Sequence, residues 1–462
     1  MLTLLFSGGK AFGQPAFVAG ASRVNITPIG AAVRVPLGGY AARRGALATG
    51  VHDPVFARAL VLGRGDRLVA IVSVDLCFLP SGIVQAVAQD LRQMGLAQLT
   101  GSRLFLAATH THSAPDPLAM DPANTFTQPK GWSRFNPQLL HWTAHHIALA
   151  VKQAYENRVS ALLGYTATQV EGLNRNRRDD PVLDRQLTVF RVVRRRDLRS
   201  IAELVVFASH PTLYTAKMLE ISADWPGVME QAVEKRYGGV CLFLNGAEGD
   251  AAPPDSQGLT EEQEVDRYGK AVAAAILRLI PTIAYGVPAP VETWQTSVTL
   301  PQRVPNGLYL AAAGSLGISI PDAQNRVKHL MPSTTRISFV RIHRLLLIGM
   351  PCEPTGALGA VLRREAEQAG YHPVAIVALV NDWLAYALTA EQYRHGGYEA
   401  GMSFYGPQLG DVLVRAVARG LAHERKTSAK EQSKTFRRTS GLKKLRHLHS
   451  VAHKAPLLQG IG

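Results

Sequence analysis

The sequence predicts an α/β fold, a mixed or mostly parallel sheet covered by helices, with a metal site at the carboxyl ends of its strands. Three observations carry this reading. Short, fully apolar runs recur along the chain, each stopping on a polar residue. Between them lie stretches whose apolar positions recur at three- and four-residue spacing. The two kinds alternate, which is the pattern of strands covered by helices.

In chain order the apolar runs are LVAIVSV before Asp75, LFLAAT before His110, AELVVFAS before His210, CLFL before Asn245, LLLIGMPC before Glu353 and VAIVALV before Asn381. Runs with no polar alternation belong in a sheet covered on both faces. The helical stretches are IVQAVAQDLRQMG, LLHWTAHHIALAVKQAYENR, VMEQAVEKR, EVDRYGKAVAAAILRLI and GALGAVLRREAEQAG. In such sheets ligands gather outside the carboxyl ends of the strands, so the polar residues after each run share an address. The segment from Pro115 to Pro137 reads as a long loop over that address. The stretch from Pro288 to Pro305 shifts toward strand-like alternation and proline, fitting either a lid-bearing insertion or a subdomain edge.

A chain of 462 residues with 47% hydrophobic content can bury a large core. Cys77, Cys241 and Cys352 are too few and too dispersed for a disulfide framework or a cysteine zinc site. The net charge of +15 is concentrated after His423, where Arg425, Lys426, Lys430, Lys434, Arg437, Arg438, Lys443, Lys444, Arg446 and Lys454 face only Glu424 and Glu431. That distribution makes nucleic acid an unlikely partner for the body and leaves the tail as a candidate for peripheral contact with an anionic membrane. No run reaches the ~20 apolar residues that span a bilayer. The best, AVAAAILRLIPTIAYGV, is broken by Arg278 and Pro281. MLTLLF is short and lacks a basic lead, so a signal is weak as written. The compartment is secreted or periplasmic if a signal precedes the true start, and cytoplasmic otherwise. The expected division is an N-terminal segment 1–16, a catalytic domain 17–422 and a basic tail 423–462, expected to be disordered.

The chemistry concentrates in 107-AATHTHSAPDP-117. A strand period of two places His110 and His112 on one side as the strand runs out. Either histidine alone reads as a strand-end imidazole satisfied by a carbonyl; as a pair flanked by small hydroxyl residues they read as ligands with supporting donors. His210, in VVFASHPTLY, repeats the placement, and Glu353 in GMPCEPTG opens a helix, where a carboxylate also suits the helix dipole. Imidazoles and a carboxylate at the ends of buried strands are the donor set of a hydrolytic zinc centre. The GxSxG elbow, the P-loop and the strand–GxGxxG–helix unit are all missing from the sequence.

The ordered segments FVAGASRVNITP, GGYAARRGALATGVHDPVFARALVL, LAATHTHSAP, NRNR, FASHPT, GDAAP, PCE and NDWLAYALTAEQYRHGGYEAGMSFYGP resemble the neutral (non-lysosomal) ceramidase family across roughly residues 17 to 420. That family comprises zinc amidases that cleave ceramide. The resemblance implies one Zn2+ per chain held by His110, His210, Glu353 and Tyr386, with His112, Arg175 and Tyr398 lining the active site. His112 is the first candidate to protonate the leaving nitrogen. It implies hydrolysis of the amide of N-acyl sphingosine or another N-acyl lipid by metal-activated water. The alternative is a non-catalytic metal- or lipid-binding protein of the same fold.

The departures are specific. Ala252 stands in GDAAP where relatives carry a serine, which excludes a serine nucleophile at that position. HSAPDP replaces the family's HSGPGG, and Trp383 replaces a tyrosine in WLAY. The chain runs from the YGP segment through one helix into the basic tail, so a member without the family's C-terminal β-sandwich domain is expected.

Overall fold

A computed structural model describes residues 16–28, 35–126, 133–255, 258–286 and 291–424. The proposed N-terminal segment and nearly all of the basic tail lie outside these residues. The α/β class and the mixed sheet are as expected from the sequence.

The larger sheet contains β1 (Phe17–Asn25), β2 (Phe56–Arg64), β3 (Arg67–Val74), β4 (Leu104–Ala108), β5 (Val159–Gln169), β6 (Gln186–Arg194), β7 (Ser200–Phe207) and β8 (Val240–Asn245). Its spatial order is β8-β7-β6-β5-β1-β2-β3-β4. Parallel pairing is confined to the edges, β8 with β7 and β3 with β4, and the interior pairings are antiparallel. Antiparallel strands usually alternate apolar and polar residues. β2 and β3 do not, because both of their faces are covered, whereas β1 and β5 are only partly buried.

The cover comes from helices on the outside and from the sheet itself on the inside. One face of β2, β3 and β4, including Ala59, Val61, Val72, Val74 and Leu106, packs on α1 (Ser81–Gln93) and α2 (Pro137–Glu156). One face of β6, β7 and β8 packs Val189, Val205, Phe207 and Phe243 against Trp225 and Met229 of α3 (Asp224–Tyr237) and Tyr268 and Val272 of α4 (Glu261–Leu279). The remaining faces share one interior, where Leu60, Ile71 and Phe105 meet Phe190, Leu204 and Leu242. The sheet turns this corner between β1 and β5, which pair only through Val18 with Ser160 and Ala19 with Val159. Side chains such as these, at ~1.5–3 kcal/mol each when fully buried, are the main term holding the layers together.

A second sheet, β9 (Val291–Thr299), β10 (Thr334–Ile342), β11 (Leu345–Gly349) and β12 (Val374–Val377), closes on the same interior through Val340, Leu345, Leu347 and Val377. The stretch of uncertain role at 288–305 therefore forms an edge strand, β9, as far as it is described. The helices α5 (Gly307–Ser315) and α6 (Ile320–Leu330) follow it. Next come α7 (Gly356–Gln368), α8 (Ala390–His395), α9 (Tyr398–Gly401) and a final helix over 409–424. Two strand ends meet where β12 runs out. Ala378 donates its N–H to the carbonyl of Asn245, the last residue of β8, and Asn381 donates to Leu106 of β4.

Candidate metal centre

β4 delivers the THTH pair and β7 delivers His210 to one buried point. His110 is 2% exposed, His210 1%, Glu353 3% and Tyr386 6%. Glu353 and Tyr386 are adjacent because Glu353–Pro354 pairs in parallel with Tyr386–Ala387. The backbone of His110 has φ of 76°, a region an L-residue enters at a cost of about 1–3 kcal/mol. Its N–H bonded to the Leu76 carbonyl holds it there.

The tautomers follow from the acceptors. His110 Nδ1 lies 2.6 Å from the Cys77 carbonyl and His210 Nδ1 lies 3.0 Å from the Ala251 carbonyl. A carbonyl only accepts, so both Nδ1 atoms carry a proton, which leaves each Nε2 as the atom able to turn a lone pair toward a metal. His110 Nε2 is 3.3 Å from Glu353 Oε2, His210 Nε2 is 3.6 Å from the same oxygen, and His210 Nε2 is 3.3 Å from the Tyr386 hydroxyl. Four ligands ~2.0–2.1 Å from a tetrahedral zinc stand ~3.3–3.4 Å apart. The three distances above lie within 0.3 Å of that spacing, and Glu353 Oε2 is buried without a hydrogen bond. Without an ion, a proton shared between His110 and Glu353 satisfies the pair: burial would lower the His110 imidazole, but Glu353 outweighs it and holds His110 well above the usual imidazole range. With that proton displaced, the same atoms fit a divalent metal.

Each ligand is oriented from behind. Glu353 Oε1 accepts from Trp383 Nε1 at 3.3 Å, and the Trp383 ring stacks on Phe78 with centroids 3.9 Å apart. The Tyr386 oxygen accepts from Arg177 Nη2 at 3.0 Å, and the same nitrogen donates to the Gly249 carbonyl at 2.8 Å. Arg177 Nε pairs with Glu399 Oε1 at 2.7 Å, and Glu399 also takes Arg178. Burial would raise the Glu353 carboxyl, but His110 and His210 outweigh it and hold Glu353 well below the usual carboxylate range.

His112 lies beside the four, with Nε2 3.4 Å from His110 Nε2. With Cys77 and His110 it forms a second grouping of metal-ligand type. Its Nδ1 is buried without a hydrogen bond, and its ring packs edge-on against Tyr40 at 4.7 Å. Burial, then the neighbouring His110 and His210, hold it well below the usual imidazole range. Gly39 permits this placement: at φ of 87° it leaves open a space where a Cβ would lie 2.3 Å from His112 Cγ. Arg43, buried, donates to the Gly38, His112 and Met218 carbonyls and fixes the loop.

The structure therefore brings His110, His210, Glu353, Tyr386 and His112 together. Tyr398 stands at the rim, 61% exposed, its ring 5.7 Å from that of Tyr386. Arg175 is placed differently: it pairs with Asp255 at 2.7 Å on the exposed side, and Arg177 makes the contact with Tyr386. The signal was in NRNR, which holds the Asn-Arg pair twice. Glu248 was also missed; it is fully buried, neither carboxylate oxygen has a hydrogen bond, and burial pushes it well above the usual carboxylate range.

A family model described as neutral/alkaline non-lysosomal ceramidase, N-terminal, matches residues 17–253. A neutral ceramidase of Mycobacterium tuberculosis is 35% identical over 112 residues, covering 23% of this chain and 18% of its own. One of Pseudomonas aeruginosa is 24% identical over 471 residues, covering 84% and 69%. One of Drosophila melanogaster is 27% identical over 236 residues, covering 47% and 32%. The matched part is thus under two thirds of the length of the Mycobacterium and Drosophila proteins. Among solved structures, one described as a ceramidase complexed with C2 superposes with a TM-score of 0.77 over 89% of this chain and 76% of that one, at 20% identity. The Pseudomonas aeruginosa neutral ceramidase crystal structure gives 0.75 over 89% and 75%, at 21% identity.

Proposed function

The chain belongs to the neutral/alkaline non-lysosomal ceramidase family, and from that premise we propose that it is a zinc-dependent amidohydrolase cleaving an N-acyl lipid of the ceramide type. The observation that carries the proposal is the convergence of His110 Nε2, His210 Nε2, the unpartnered Glu353 Oε2 and the Tyr386 oxygen at tetrahedral spacing. These four residues would hold the ion. Bound zinc supplies an acidified water at neutral pH and a Lewis acid for the amide carbonyl.

The remaining work falls to the chain. Cys77 and Ala251 carbonyls fix the two imidazoles, and Arg177 donates to the Tyr386 oxygen so that its remaining lone pair faces the centre. His112, its Nε2 aimed at the ligand cluster, takes a proton from the attacking water and returns it to the leaving nitrogen. Tyr398, at the rim, donates to the amide oxygen as negative charge develops there, a contribution of ~3 kcal/mol for one such donor. Arg175 acts further out, on the substrate's polar head. Ala252 leaves no hydroxyl at its position, so water is the nucleophile. The catalytic unit runs from residue 17 through Glu424, two residues past the expected boundary because Glu424 bonds Tyr371 and Arg341, and the basic residues from Arg425 onward are an appendage that contacts anionic lipid.

The test is metal content by elemental mass spectrometry with turnover of N-acyl sphingosine and of short N-acyl amides. About one zinc per chain, lost in His210→Ala together with amide release, supports the proposal. Zinc without turnover of any amide favours the non-catalytic binding protein. A metal-free protein after zinc loading refutes the zinc hydrolase and leaves, of the alternative, only lipid binding.

A further inference from the structure

α5 is a surface helix of unusual composition. Residues 304–321, VPNGLYLAAAGSLGISIP, contain no charged side chain across eighteen positions. Surface helices normally carry a charged face, and helices apolar all round are normally buried. Of the nine residues of α5 only Ala313 is buried. Val304 is 52% exposed, Leu308 55% and Ile320 56%.

The helix is fixed to the rim of the metal centre. The Asn306 side chain caps α5 at Leu308 N and donates to the Ala400 carbonyl of α9. The Val304 N–H donates to the Phe404 carbonyl at 2.7 Å, and Tyr309 packs edge-on against Phe404. Leu308 lies so close to Gly401 that a Cβ there would meet it at 3.0 Å. α9 begins with Tyr398, the exposed aromatic beside Tyr386. Among the described residues, four of the ten exposed large hydrophobics, Val304, Leu308, Ile320 and Tyr398, thus cluster around α5 and α9. α6, packed against α5, carries Arg326 and the exposed Lys328.

We propose that α5, with Val304, Ile320 and the Tyr398 rim, is an interfacial platform that seats the mouth of the metal centre on a lipid bilayer. The occupant is a bilayer because the uncharged surface is continuous with the mouth through which a lipid amide must leave the membrane; this argument rests on the lipid-amidase reading above. Exposed apolar side chains enter the acyl boundary while the exposed Lys328 meets phosphate headgroups. The helix is too short to span and lies in the plane of the surface.

The test uses the full chain and phosphatidylcholine vesicles in about 0.5 M salt, which screens the basic tail. Wild type is expected to co-sediment, and the double variant Leu308→Glu with Ile320→Glu to lose at least tenfold in partitioning. Unchanged zinc content and circular dichroism would show that the variant is folded. Equal binding of wild type and variant, or no binding of wild type, overturns the platform. So does a concentration-dependent dimer that the variant abolishes, which would mean a second copy covers α5. Turnover of a water-soluble N-acyl amide separates the two ideas: turnover without vesicle binding sinks the platform alone, and vesicle binding without turnover of any amide sinks the hydrolase reading alone.

Discussion

Trp383→Phe isolates one hydrogen bond behind the metal centre. The phenyl ring keeps the stack on Phe78, which stands at 3.9 Å, and removes only the indole N–H that Glu353 Oε1 accepts at 3.3 Å. A hydrogen bond to a charged acceptor contributes ~1.5–3 kcal/mol, and one this long belongs at the low end. About 1.4 kcal/mol is a tenfold change in an equilibrium constant. Removing a partner behind a metal ligand typically costs ~10–100-fold in affinity, so roughly tenfold weaker zinc binding is expected. Competition with a chromophoric chelator at fixed pH measures it, with His210→Ala as the metal-free control. The apo melting temperature should move little, since the ring still packs. Zinc affinity within twofold of wild type would refute the claim that Trp383 orients Glu353, and a large loss of apo stability would show that the substitution acts through packing instead.

Three further outcomes are expected. Gly39→Ala forces a Cβ to 2.3 Å from the His112 ring at φ of 87°, so amide turnover should fall at least tenfold while zinc stays bound, with about 1–3 kcal/mol of stability lost in urea titrations. Arg177→Met should weaken zinc several-fold and Arg175→Met should not, because only Arg177 touches Tyr386; equal effects on chelator competition would be inconsistent with this placement. Burial, opposed by the Trp225 and Tyr214 N–H groups and assisted by Asp53, raises Asp224 from 3.8 to about 7. A raised folded value favours the protonated form, so this contribution is full below pH ~4 and is lost as pH rises toward 7, on the order of 4 kcal/mol. Asp224→Asn, which the left-handed φ of 56° tolerates, should flatten the wild-type decline between those pH values in denaturant melts.

The six apolar runs of the sequence located β3, β4, β7, β8, β11 and β12, because burial on both faces leaves a hydrophobic signature, and missed strands such as β2, whose run is interrupted by Arg58. The same burial erased the alternation that distinguishes antiparallel pairing, so strand direction was not legible. β2 shows this: its interior residues Ala57 to Leu62 are all buried, alternate ones against α2 and against Phe190 and Leu204. His110 and His210 were visible from their strand ends. Glu353 was visible in the same way, after LLLIGMPC; Tyr386 came only with the family resemblance, since the pairing of 353–354 with 386–387 is what makes the two neighbours. Arg177 was hidden by the doubled dipeptide in NRNR, and Trp383 was seen as a substitution without a role. Glu248, in the NGAEGD turn, had no sequence signal beyond its Gly neighbours.

The order in which the ligands occur along the chain has a consequence for biosynthesis. The first histidine is residue 110 and the last donor is residue 386, with one ligand on β4's exit, one on β7's and two joined by a strand pair of only two residues. While the ribosome is still adding the middle of the chain, an emerging THTH segment offers two imidazoles and nothing to complete a coordination sphere. At ~5–20 residues per second, this leaves the segment exposed for many seconds as a weak and undiscriminating metal trap. In the folded chain the Cys77 carbonyl, from a residue that emerges earlier, occupies one nitrogen of the His110 imidazole. On the four-donor centre proposed above, the choice of ion falls to the completed body, where four donors rather than two compete for it.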